Sequence, residues 1–383
     1  MDRISTLIDR ARTATSLRDL GEPSFREGLE RLVASVDAQA RLNEQGRALF
    51  EYQIVDLLSK RLEVEHWYAL HPEIDEQQIE APLIGLGLPR TGSTAFSCML
   101  AADPRVRSIR AWESSAPCPP PETATELDDP RIAAQEQAMV HTALLSPRFQ
   151  SMLPMTPTAP SECQMYMAQD FRSQVFQATY RIPDYVTWLN NEADLVPTYK
   201  HVKRILKLLQ WRCPPTRWRL KNPSHIVFIE ALDIVFPDAR YWMTHRPIED
   251  VIPSVVDLYA ELSGPYTDDL DIRYIAEMNV GWTELGLKRV FEFRRNGNDP
   301  RFFDVEFSAF QGDPLNTIER LYAFLGEELT DEAHARMVAW RRDTPRNEYE
   351  RREFDREGLG IDRKSLQARF AFNDERVRMI RKS

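Results

Sequence analysis

Apolar residues recur three and four positions apart through residues 25–40 and 43–62, with Glu, Arg, Leu and Ala abundant. That period puts the apolar side chains on one helical face. Residues 1–80 are therefore expected to form a helical extension, packed on a core or on another subunit. The pattern changes at residue 81. APLIGLGL (81–88) is a short apolar run ending in a turn, as a buried parallel strand would be, and STAFSCMLAA (93–102) reads as the helix that follows. VRSIRAW (106–112) is a second candidate strand, CPPPETATELDDP (118–130) a proline-rich acidic loop, and 130–215 mostly helical. A new α/β stretch starts near 217: strand RWRLKNP, helix PSHIVFIEALDIVF, strand ARYWMTH (239–245), helix PIEDVIPSVVDLYAEL (247–262). RFFDVEF (301–307) is a further strand, and 308–326 a single helix closed by Gly326. Strands alternating with helices predict an α/β fold with a central parallel sheet in three layers. The core is expected over 81–330 with a helical insert at 120–215, followed by a C-terminal helix and tail at 331–383.

Composition narrows the function classes. The 383 residues carry 49 Lys and Arg against 59 Asp and Glu, a net charge of −10. A general nucleic-acid partner would select a basic field, so none is expected. With 43% hydrophobic residues, and no apolar stretch of membrane-spanning length, the chain reads as a soluble globular protein. The charged N-terminus lacks an apolar signal core, which suggests a cytoplasmic location. Cys98, Cys118, Cys163 and Cys213 show neither disulfide-framework nor zinc-ligand spacing, so idle thiols are expected. Glycine is scarce, 14 residues against 26 prolines, which makes the cluster Gly85, Gly87 and Gly92 informative.

That cluster opens the segment GLPRTGST (87–94), which has the glycine spacing and final Thr of a phosphate-binding P-loop, with Ser93 at the position of the usual Lys. Placed between an apolar strand and a helix, its backbone N–H groups and hydroxyls make an anion site. Arg90 adds a fixed charge with forked donors. A nucleotide hydrolase would also need a metal-binding Asp after an apolar strand. Asp304 lies inside its strand and Asp233 in a helix, so a transferred group that needs no metal fits better.

Three segments together resemble sulfotransferases that use 3′-phosphoadenosine 5′-phosphosulfate (PAPS), most closely the large bacterial type related to protein-tyrosine sulfotransferases. GLPRTGST is similar to that family's 5′-phosphosulfate loop. YWMTHRPIEDVIPSV (241–255) resembles its 3′-phosphate segment, with Arg246 at the strand end and Ser254 eight residues on. LKNPSH (220–225) resembles its Lys-x-Pro stretch. The resemblance runs from about 81 to 326. It implies a P-loop-like fold, PAPS as co-substrate and no metal. Arg90, Thr91, Gly92, Ser93 and Thr94 would bind the 5′ end, and Arg246 and Ser254 the 3′-phosphate. Arg90 and Lys221 would stabilise the departing phosphate.

Transfer to a hydroxyl also needs a base. The resemblance places a Glu after the second strand, where Glu113 stands. His225 is the runner-up, and Glu162 is a third acid, at a helix start. The insert carries Met152, Met155, Tyr166, Phe171, Phe176, Tyr180, Tyr185, Trp188 and Tyr199. Such residues could line a pocket for a small-molecule or lipid-like acceptor, or could simply be helix core. Homo-oligomerisation through the N-terminal helices is a further expectation. Two other classes remain: a P-loop NTPase or small-molecule kinase using ATP and Mg²⁺, and a non-catalytic scaffold.

Overall fold

The computed structural model describes residues 3–145, 148, 152, 155–213, 217–344 and 362–380. The segment 345–361 of the C-terminal tail lies outside the described residues. Three helices, α1 (Arg3–Thr15), α2 (Phe25–Gln39) and α3 (Glu44–Leu70), form the N-terminal region. The side chain of Asn43 caps α3 by accepting from the Gly46 N–H at 2.7 Å.

These helices pack on their own chain. Leu29, Leu32, Phe50, Ile54 and Leu58 belong to one continuous buried cluster that also holds Tyr185, Leu206 and Ile252. Arg61, buried on α3, welds the extension to the insert. It donates to the carbonyls of Leu20 and Glu22 at 2.7 Å and to Asp170 at 3.3 Å. Asp170 also accepts from Ser24, Arg172 and Thr198. Burying such a cluster is costly unless its hydrogen-bonding groups are filled in this way.

Five strands form one sheet in the order β2-β3-β1-β4-β5: β1 (Leu83–Gly87), β2 (Val106–Arg107), β3 (Arg217–Lys221), β4 (Arg240–His245) and β5 (Phe302–Glu306). Every pairing is parallel. β1 lies in the middle and every one of its residues is buried, as its unbroken apolar run requires. Gly85 has a packing reason: a Cβ there would overlap the Trp242 ring of β4.

The boundaries differ from the expected ones at three places. The second strand stops at Arg107, and Ala111–Ser115 forms a short helix, α5. The helix expected at 223–236 is a 3₁₀ turn, Pro223–Ile226, then a helix at Ile229–Val235. The helix expected at 308–326 is two, Phe307–Gly312 and Pro314–Leu325. Asp313 ends the first and caps the second, with Pro314 at the first helical position. A further helix, α6 (Pro130–Leu145), lies in the insert. Among the described residues, no helix is long and apolar enough to cross a membrane. The four cysteines are unpaired.

Candidate active site

The carboxyl ends of three neighbouring strands supply the site, because β1 pairs with β3 on one side and β4 on the other. β1 leads into the loop 88–92 and then helix α4 (Ser93–Ala101). β3 ends at Lys221, and β4 is followed by Arg246. In open parallel sheets this edge is where ligands bind.

The loop is sharply turned. Arg90 has φ 64° and Gly92 φ 84°. The left-handed conformation at Gly92 suits glycine, and a Cβ there would lie 3.0 Å from the Phe307 ring. The following N–H groups start α4 and face the same end of the sheet.

Arg90 and the segment after β4 are joined directly. The Arg90 Nε–H donates to Ser254 Oγ at 3.0 Å, and its Nη1 to the Met152 carbonyl at 2.7 Å. Arg246 Nη1 donates to the Arg90 carbonyl at 2.9 Å, and its guanidinium lies over the Phe307 ring, 4.6 Å from the centroid. Burial, and next the like charge of Arg246, press the Arg90 pKa below its ordinary value. A phosphate between the two cations would relieve that repulsion, so the donor set fits an anionic nucleotide.

Lys221 is buried, and its Nζ donates to Glu162 Oε1 at 2.6 Å and Thr94 Oγ1 at 3.3 Å. The other oxygen of Glu162 accepts from Gln164 Nε2 at 2.5 Å. The backbone brings Glu162 here: the Cys163 N–H donates to the Lys221 carbonyl at 3.2 Å, tying the insert to the end of β3.

Arg90, Gly92, Ser93, Thr94, Lys221, Arg246 and Glu162 all line one cavity of about 560 Å³. Its other wall is largely apolar, with Met152, Met155, Met165, Val175, Leu258 and Leu262. Trp340 and Thr344 border it from the C-terminal region. Cys98 also lines it, and burial pushes its thiol pKa up to about 11.

Several expected residues are placed otherwise. Glu113 is fully buried and is not among the residues lining that cavity. It accepts from the side chains of Arg107 (2.5 Å) and Arg110 (2.6 Å) and from the Arg110 backbone N–H (2.9 Å). Its carboxylate thus accepts from the backbone N–H that precedes α5 and from two guanidinium groups, so its lone pairs serve the fold. His225 is buried with Nδ1 2.8 Å from the Tyr199 hydroxyl, and burial lowers its pKa to about 3. It too stands outside the cavity lining. The Thr91 hydroxyl donates to the Leu88 carbonyl at 2.6 Å and lies 2.5 Å from Thr244 Oγ1, so it fastens the loop to β4. Of the insert's aromatic set, Tyr166, Phe171, Phe176, Tyr180, Tyr185, Trp188 and Tyr199 are buried core, whereas Met152 and Met155 reach the cavity.

Gln164, Gln174, Tyr259 and Trp340 line the cavity without having been singled out from the sequence. A helical count from Ser254 would have found the wall of the third: Leu258 and Leu262 follow it at four-residue intervals, with Tyr259 beside them.

Comparison with known proteins agrees with this geometry. The model of the Sulfotransferase family matches residues 82–331. The crystal structure of sulfotransferase STF9 from Mycobacterium avium is similar over 97% of each chain, with a TM-score of 0.90 and 31% identity. That of sulfotransferase STF1 from Mycobacterium tuberculosis H37Rv is similar over 97% of this chain and 98% of that one, with a TM-score of 0.84 and 26% identity. Among curated proteins, omega-hydroxy-beta-dihydromenaquinone-9 sulfotransferase Stf3 of Mycobacterium bovis is 32% identical over 114 residues, 28% of either chain. The same holds for Stf3 of Mycobacterium tuberculosis.

Proposed function

Because the chain belongs to the Sulfotransferase family, we propose that it moves a sulfuryl group from PAPS to the hydroxyl of an apolar, lipid-like or other small acceptor. The observation that carries this reading is the convergence of Arg90, Lys221 and Arg246 at the ends of three adjacent strands, beside a carboxylate, Glu162. PAPS would supply an activated sulfuryl group and a 3′-phosphate handle.

Arg246 and Ser254 would hold the 3′-phosphate. Arg90, Ser93, Thr94 and the N–H groups at the start of α4 would hold the 5′ end. Thr91 acts by fixing the loop on β4. Lys221, within reach of both Thr94 and Glu162, would neutralise charge that builds on the departing phosphate. Glu162 takes the role of base in place of Glu113. The acceptor oxygen forms its bond to sulfur as the sulfur–phosphate oxygen bond breaks in line, and the hydroxyl proton passes to Glu162.

The apolar wall supports an acceptor that is mostly hydrocarbon. The name of the relative Stf3 describes such an acceptor, a hydroxylated dihydromenaquinone. A cytoplasmic location and self-association are parts of the proposal. The apolar faces of α1–α3 are largely spent on the chain's own core, and Tyr52 and Leu70 are exposed large side chains through which α3 would self-associate.

The kinase reading has less support. Asp304 is gripped by Arg294 through both oxygens at 2.7 Å, with His245 at 2.7 Å and Arg376 at 2.9 Å. Asp233 pairs with Arg301 at 2.7 Å. Both carboxylates are committed to partners in the fold. Calorimetric titration decides: 3′-phosphoadenosine 5′-phosphate should bind without metal and more tightly than ATP. Tighter binding of ATP with Mg²⁺ would overturn the proposal.

A further inference from the structure

The apolar wall of the cavity contains one polar pair that the chemistry above does not use. Gln174 opens the helix Gln174–Thr179 of the insert, and Tyr259 lies on the core helix Ile248–Ser263. Both side chains are buried and both line the cavity. Gln174 Nε2 donates to the Tyr259 hydroxyl oxygen at 2.8 Å. That fixes the direction of the bond: the hydroxyl accepts from the amide, so its own proton is left to donate elsewhere. Among the described residues, no acceptor within hydrogen-bond distance takes it. Burial first, and then the nearby Glu162 carboxylate, push the Tyr259 pKa up, so the group stays a neutral donor. Val175, Ala178, Leu258 and Leu262 line the same cavity. A hydroxyl donor beside such side chains discriminates strongly, because a ligand that covers it without an oxygen leaves it desolvated and unpaired.

Resting on the reading of this cavity as the acceptor site, we propose that Tyr259, oriented by Gln174, is a subsite for a second oxygen of the acceptor. The acceptor class is then narrower than an alcohol with a hydrocarbon body. It carries, apart from the hydroxyl that is sulfated, a carbonyl or ether oxygen that accepts a hydrogen bond from Tyr259.

Direct binding tests this without depending on turnover. Ten-carbon primary alcohols, in which one interior methylene at a time is replaced by a carbonyl, are titrated into the full-length protein, with and without 3′-phosphoadenosine 5′-phosphate. At least one ketone position should bind about tenfold or more tightly than decanol. Tyr259→Phe should abolish that preference and leave decanol binding unchanged. Gln174→Glu keeps the packing but presents a carboxylate that draws the tyrosine proton out of the cavity. It should abolish the preference as well, with an unchanged melting temperature identifying a folded variant. Absence of any preference, its survival in either folded variant, or failure of every alcohol to bind would overturn the subsite. If ketones are preferred but PAPS transfers nothing to them, the subsite stands and the sulfuryl-transfer reading fails. Transfer without preference has the opposite meaning.

Discussion

Replacing Glu162 with Gln separates the two carboxylates between which the base assignment lies. The substitution keeps the side chain's size and one oxygen. It removes the ability to take a proton at a position whose oxygens lie 2.6 Å from Lys221 Nζ and 2.5 Å from Gln164 Nε2. A general base contributes about a hundred- to ten-thousandfold to rate, or about 3–5 kcal/mol of barrier. Glu162→Gln should therefore lower kcat by at least about a hundredfold, with binding of 3′-phosphoadenosine 5′-phosphate within a few-fold of the parent. Glu113→Gln perturbs a different quantity. That carboxylate is fully buried and accepts three hydrogen bonds from Arg107 and Arg110. Neutralising it leaves Arg107 and Arg110 to share Glu126 as their remaining carboxylate, at a cost of up to about 3 kcal/mol of folding stability. The expected result is a lower melting temperature, with kcat per folded molecule nearly unchanged. Single-turnover transfer of labelled sulfate, with folded fraction from calorimetry, reads both variants. Full activity in Glu162→Gln, together with a hundredfold loss in folded Glu113→Gln, would refute the reasoning.

Two further outcomes follow from the same geometry. Arg246→Ala should weaken binding of 3′-phosphoadenosine 5′-phosphate by about ten- to hundredfold and erase its advantage over the nucleotide without the 3′-phosphate; an unchanged advantage in calorimetry would place that phosphate elsewhere. His225, held neutral by burial with a pKa of about 3 against an ordinary 6.5, gives a pH signature. The unfolded chain takes up the proton first as pH falls, so the stability this residue supplies is complete above about pH 6.5. It is lost towards pH 3 by up to about 1.4 kcal/mol per pH unit. His225→Asn should flatten the acid limb of a denaturation-against-pH curve, and an identical limb would show that another group titrates.

The parallel sheet was legible chiefly from its central strand, an apolar run followed by a helical period, Leu83–Gly87 and its helix Ser93–Ala101. The convergence of Arg90, Lys221 and Arg246 was legible for a related reason: each ends or closely follows a strand, and strand ends in a parallel sheet share one edge. The surroundings of Glu113 and Glu162 were not, because no local spacing states where a loop carboxylate points. Arg110 stands three residues before Glu113, a hint of an ion pair that position after the second strand overrode. Glu162 depends on the contact between the Cys163 N–H and the Lys221 carbonyl, 58 positions apart in the sequence. The aromatic set of the insert was readable as core or pocket, and long-range packing alone decides for each ring.

The origin of the two cavity walls has an evolutionary consequence. The cationic wall is fastened to adjacent strands whose separation, about 4.8 Å each, is fixed by backbone hydrogen bonds. The hydrocarbon wall comes in large part from the insert, through Met152, Met155, Met165 and Val175. Side chains there can be exchanged without altering the distances between Lys221, Arg90 and Arg246. One cationic wall can thus be combined with a succession of hydrocarbon walls, and under the proposed function relatives should diverge in the acceptor they modify sooner than in the donor they consume.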